Sequence, residues 1–134
     1  MCEQILRKAF PAQPLAHDPR IKAAVIADPL AVMFAAGGLS AVKVPVQLWQ
    51  SERGGDGVSP ESVAAVNRNL PAQHEYHIVP DAGHFAFLTP CPPALAARLP
   101  ELCTDARGFD RVDFHKQFDA GVVAFFRNYL TTVH

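Results

Sequence analysis

A chain of 134 residues, 49% hydrophobic and 19% charged, is long enough for one core and too apolar for intrinsic disorder. A formal charge of −1 provides no field to hold nucleic acid or an anionic membrane surface. No apolar run reaches the ~18 residues that span a bilayer, and Met1-Cys2-Glu3-Gln4-Ile5-Leu6-Arg7-Lys8 has no apolar segment of the secretory-signal kind.

Residues 1–20 carry Pro11, Pro14 and Pro19 without a sustained period, which predicts a helical turn at about 3–9 and then an extended lead-in. Ile21-Lys22-Ala23-Ala24-Val25-Ile26-Ala27 is a nearly unbroken apolar run closed by Asp28-Pro29. That pattern predicts a strand buried on both faces, as in parallel sheets. Residues 30–43 are small and apolar around Gly37-Gly38, and read as a loop with a helical turn. Val44-Pro45-Val46-Gln47-Leu48-Trp49-Gln50 predicts a second strand, with Pro45 at its start where a missing N–H is tolerated.

A glycine-rich turn, Gly54-Gly55-Asp56-Gly57, follows. Ser59-Pro60 opens a helix as N-cap and first-turn proline; Val63, Val66 and Leu70 share one face, and Pro71 ends it. Glu75 to Val79 predicts the third strand, which runs into Asp81-Ala82-Gly83-His84-Phe85. An imidazole on a glycine-containing turn just past a strand end is well placed for proton transfer, because the strand fixes the backbone.

Residues 89–109 are broken by Pro90, Pro92, Pro93 and Pro100 around a short helix at 94–99. The last helix, at about 111–131, is capped by Asp110. Its apolar stripe of Phe114, Phe118, Val122, Phe125, Phe126 and Tyr129 predicts a core-facing surface. The order of elements implies a parallel α/β sheet with strands at about 21–27, 44–50 and 75–79 and helices at about 60–70, 94–99 and 111–131. Three strands are few for such a sheet, and nothing before residue 21 supplies the neighbour that the first strand wants.

Cys91 and Cys103, twelve residues apart around the proline-rich segment, are either free buried thiols or a bridge closing a small loop, and Cys2 is left over. No His/Cys spacing suits zinc. His74 and His77, three apart on a strand, point to opposite faces and do not form a metal pair. His115, beside Lys116 on the last helix, is most simply on a solvated face.

Several stretches, in order, resemble the C-terminal portion of an α/β-hydrolase of the dienelactone-hydrolase-like and platelet-activating-factor-acetylhydrolase-like branch. They are Asp18-Pro19-Arg20-Ile21-Lys22-Ala23 into Ala27-Asp28, Val44 to Trp49, Asp56-Gly57-Val58-Ser59-Pro60, Asp81 to Phe85, and the closing Val123-Ala124-Phe125-Phe126-Arg127. Residues 1–17 form a lead-in outside the resemblance, and 18–134 are the hydrolase-like part. The resemblance implies a partial α/β-hydrolase fold containing the last three strands of the sheet. It makes His84 the general base of a Ser-His-Asp triad, with two carboxylates in contention as its partner. Asp56, in the loop after the second strand, is the first choice; Asp28, at the end of the first strand, is the alternative. Each also suits a turn without any catalytic role.

The nucleophile is where the chain departs from the family. A Gly-x-Ser-x-Gly elbow on a strand-to-helix turn is required, and none of Ser40, Ser51, Ser59 and Ser62 has that setting. No oxyanion-hole loop is visible, and Cys2 lacks the strand–turn–helix context of a substitute. The expectation is therefore a C-terminal fragment of an ester- or lactone-cleaving serine hydrolase, inactive alone and needing no cofactor or metal. The competing expectation is a non-catalytic assembly module whose exposed sheet edge pairs with another copy or with a hydrolase N-terminal half; a gene fragment without function is the third. The substrate and the compartment, cytoplasmic as the chain stands or periplasmic for the family, are left open.

Overall fold

A computed structural model describes residues 18–31, 34, 37–71 and 73–130. The expected lead-in at 1–17, its helical turn and Cys2 lie outside the described residues. Three strands, β1 (Ala24–Ala27), β2 (Val46–Ser51) and β3 (His74–Val79), form one parallel sheet in the order β1-β2-β3. Ala24 stands opposite Val46, and Val46 opposite His74, so the C-terminal ends of all three strands emerge on one side. The chain is thus an α/β structure built on a three-stranded parallel sheet with flanking helices.

Alternation along β2 divides the interior in two. Val46 and Leu48 face α1 (Pro60–Asn69) and pack with Val63, Val66, Val58 and Leu70 in an aliphatic cluster. Gln47 and Trp49 face the other way, towards the long C-terminal helix. There Phe114 and Phe118 meet Trp49 and Phe87 edge-on. The helix α1 starts as its sequence demands: the Ser59 hydroxyl accepts from the Ser62 N–H at 3.1 Å, and Pro60 occupies the first turn.

Between β3 and the C-terminal helix the proline-rich stretch makes two single turns of helix, α2 (Pro93–Ala96) and α3 (Pro100–Cys103), where one helix at 94–99 was expected. Pro100 is the reason. The residue before a proline is driven out of helical geometry, and Leu99 takes φ −134° and ψ 62°. Cys91 and Cys103 are joined by a disulfide, so the bridged alternative describes the pair. The final helix, α4 (Arg111–Leu130), is capped by the Asp110 carboxylate, which accepts from the Asp113 N–H at 2.9 Å.

Three local expectations change. The first strand is shorter than 21–27, because the Ile21 N–H closes a turn onto the Asp18 carbonyl. It is half-buried rather than covered on both faces, since β2 is its one hydrogen-bonded neighbour among the described residues. His115 is not solvated: its Nε2 lies 2.9 Å from the Ala86 carbonyl, which ties α4 to the turn that carries His84. His74 and His77 do part to opposite faces. His74 bonds to Pro71 and Asn67, while His77 stacks on Trp49 at 4.3 Å.

Among the described residues no helix is long and apolar enough to cross a membrane.

Candidate active site

The C-terminal ends of parallel strands collect polar groups, because the chain must leave the sheet there and its loops face a common side. In this chain β1 delivers Asp28, β2 delivers Ser51 and β3 leads to His84. Asp28 leaves its strand in the left-handed region, at φ 47°. Aspartate tolerates that conformation better than most side chains, and the turn sends its carboxylate across the end of β2 rather than out to solvent.

The carboxylate is 1% exposed and accepts three hydrogen bonds. The Ser51 N–H donates to Oδ1 at 2.9 Å, and the Ser51 hydroxyl donates to Oδ2 at 2.7 Å. His84 Nδ1 lies 2.8 Å from the same Oδ2. A carboxylate only accepts, so Nδ1 carries the proton of that bond, which in the neutral imidazole leaves the lone pair on Nε2. Among the described residues Nε2 makes no hydrogen bond. A buried carboxylate bonded on three sides is held in place, and it fixes the ring plane of His84.

The backbone around the ring is equally constrained. The His84 N–H donates to the Gly54 carbonyl at 2.8 Å, and the Gly54 N–H donates to Ser51 Oγ at 3.1 Å. Gly54 has φ 65°, and a Cβ there would stand 2.4 Å from the Val58 carbonyl oxygen, so no other residue fits. Asp28, Ser51, Gly54 and His84 thereby form one closed set of bonds drawn from all three strand ends.

Of the two candidate carboxylates, only Asp28 is bonded to His84 among the described residues; Asp56, the first choice from sequence, is not. Asp56 and Gly57 are the tip of a tight hairpin closed by paired bonds between Gly55 and Val58, each 2.9 Å. Both tip residues have positive φ, 51° and 87°, the geometry for which Asp-Gly is a strong signal. Asp56 is exposed and borders the cavity beside His84, and among the described residues no hydrogen bond joins its carboxylate to the buried network.

The four serines hold other posts. Ser59 caps α1, Ser62 donates back to the Ser59 carbonyl, and Ser40 donates to the Gly37 carbonyl. Ser51 shares the Asp28 carboxylate with His84, yet it is fully buried and bonded on the Asp28 side of the ring, away from Nε2. Its supporting role was not foreseen from the sequence. A hydroxyl at the last position of the central strand, beside a strand followed directly by Asp, is the signal that could have found it. A cavity of about 180 Å³ adjoins His84, bounded by Arg53 and Asp56 on one side and by Glu101, Thr104 and Asp105 on another. Among the described residues no cluster of His, Cys, Asp and Glu has the arrangement of a metal site.

No protein-family model, no curated protein and no solved structure matches this chain.

Proposed function

We propose that this chain carries the base and the acid of a serine-hydrolase triad of the α/β-hydrolase type, with ester or lactone substrates, and that its nucleophile is supplied by polypeptide outside these 134 residues. The observation that carries the reading is the Asp28–His84 pair at 2.8 Å, set at the carboxyl ends of β1 and β3 on either side of β2, with Nε2 left to work. In that role His84 takes the proton of a serine hydroxyl at Nε2 and returns it to the leaving alkoxide, while Asp28 stabilises the imidazolium formed between the two steps. Asp28 replaces Asp56 as the acid in this reading, because a triad acid must hold Nδ1 and only Asp28 does.

The sheet also supports the partial-fold reading, in which β1, β2 and β3 are the last three strands of a larger hydrolase sheet. By itself the chain should not turn over a p-nitrophenyl ester, and a fluorophosphonate probe should label none of Ser40, Ser51, Ser59 and Ser62. Turnover that disappears in His84→Ala would show that a nucleophile is present after all. The coding DNA immediately upstream is the most direct test of origin: an in-frame or frameshifted Gly-x-Ser-x-Gly segment is expected there.

A second reading, an assembly module, is favoured by one feature. Beside the half-buried edge strand β1 runs an apolar groove of about 500 Å³ lined by Ile21, Ala24, Ile26, Leu39, Val42 and Val46. Added strands bind such edges through main-chain bonds and fill such grooves with alternate side chains. Light scattering after size exclusion separates the readings, since a chain that is strictly monomeric and melts cooperatively counts against assembly through β1.

A further inference from the structure

The segment that forms the outer wall of the His84 cavity is held in an unusual way. Glu101, Thr104, Asp105 and Ala106 line that wall, and they belong to or follow α3. Neither α2 nor α3 buries a single residue, and Leu95 and Leu99 are 40% and 38% exposed. Hydrophobic burial therefore offsets little of the entropy lost in ordering these residues.

Two ties do the holding instead. Buried Arg111 donates from Nε and Nη2 to the two Asp105 oxygens, at 2.9 and 2.8 Å, and from Nη1 to the Leu102 carbonyl at 3.1 Å. Between those two clamped residues the disulfide joins Cys103, the last residue of α3, to Cys91, which precedes α2 and follows closely on the His84–Phe87 turn. The covalent tie thus connects the wall of the cavity to the segment that carries the imidazole.

We propose that residues 93–106 form a strap over His84 whose closure depends on the Cys91–Cys103 bridge, making access to His84 responsive to thiol–disulfide exchange. Both cysteines are half-buried rather than sealed in the core, so a small dithiol reaches them. One thiolate of the dithiol attacks a bridge sulfur and displaces the other cysteine as a thiolate. The second thiol of the reagent then closes the reagent's own disulfide and releases the first cysteine. Two electrons and two protons pass from the dithiol to the protein. With the bridge open, the loop from Cys91 to Cys103 is no longer closed, α2 and α3 have no buried residue to hold them, and the Arg111 clamp on Leu102 and Asp105 is the remaining tie.

The inference does not rest on the hydrolase reading, because it can be followed on the imidazole itself. Folded oxidised chain, chain reduced with dithiothreitol and then freed of reagent, and the double variant Cys91→Ser/Cys103→Ser are treated with diethyl pyrocarbonate, and labelling is mapped by mass spectrometry. The His84 rate is expected to rise on the order of tenfold in the reduced and variant chains, as for a local opening equilibrium. The His74 rate should stay the same, because both its ring nitrogens are engaged on the α1 face by Pro71 and Asn67. An unchanged His84 rate overturns the proposal. A parallel rise at His74 overturns it too, since the bridge would then hold the domain together rather than the strap. Should the double variant fail to fold, reduced wild-type chain gives the same two comparisons.

Discussion

The two faces of the sheet are stabilised by different physics. The α1 face is aliphatic: Val46, Leu48, Val63 and Val66 are each at most 3% exposed, and nothing in that set needs a hydrogen bond. The α4 face mixes rings with polar groups. Gln47, 1% exposed, donates to Glu75 at 2.8 Å and accepts from Trp49 Nε1 at 2.9 Å, and Trp49 stacks on His77. Gly121 of α4 lies so close to Trp49 that a Cβ there would stand 3.1 Å from the indole. The same face of β2 ends at Ser51, which bonds to Asp28 and through it to His84, while the aliphatic face anchors the strand from the other side. Burial there is non-directional; the α4 side depends on geometry.

That contrast can be broken on either side. Leu48→Ala should have the largest effect, a loss of about 2–5 kcal/mol, because the side chain is fully buried and leaves a cavity. Denaturant unfolding measures it, and the His84 labelling rate in the remaining native protein should be unchanged. Asp28→Ala should cost about 3 kcal/mol, since the Ser51 N–H, the Ser51 hydroxyl and the His84 N–H all lose their acceptor in the interior. Asp28→Asn should cost less, because one amide oxygen still accepts. In both variants the downfield Nδ1 proton signal of His84 should shift or vanish in NMR, and an unaltered signal would dissociate Asp28 from the ring.

Gln47→Leu sharpens the comparison at smaller scale. It removes the acceptor of Trp49 Nε1 and the donor to Glu75, for an expected loss of about 1–2 kcal/mol, together with a changed tryptophan emission. The smallest effect is expected from the one phenol on the aliphatic side. Burial raises the pKa of Tyr76 above its ordinary value near 10, partly opposed by the charge of Arg68. A raised folded pKa contributes stability that is complete below pH 10 and is lost as pH rises through the folded value. Thermal melts should therefore show a fall in stability above pH 10 that is weaker in Tyr76→Phe.

Much of the scaffold was legible in order and type. β1 is apolar throughout, Ser59-Pro60 and Asp110 mark helix starts through local hydrogen bonds, and Pro71 and Pro100 stop helices through a local steric clash. Such signals act within four residues, so they can be read without the fold. His84 was legible for a similar reason, as a histidine on a glycine turn immediately after a strand.

Its partner was legible only as one of two alternatives, with Asp56 placed first and Asp28 second. Asp56 lies in the expected loop, but Asp-Gly there is spent on a tight hairpin, while Asp28 reaches His84 across 56 residues of chain. That contact depends on the register of β1 against β2 and on a left-handed turn at Asp28, neither of which any local pattern encodes. The same holds for Ser51, Arg111 and His115, whose polar atoms find partners on other elements. Hydrophobic periodicity therefore determined which segments form elements and the buried stripes of α1 and α4, but not the half-buried state of β1. Only the tertiary structure decided which polar atoms meet, because a hydrogen bond at 2.8 Å requires a spatial precision that a pattern of residue types does not contain.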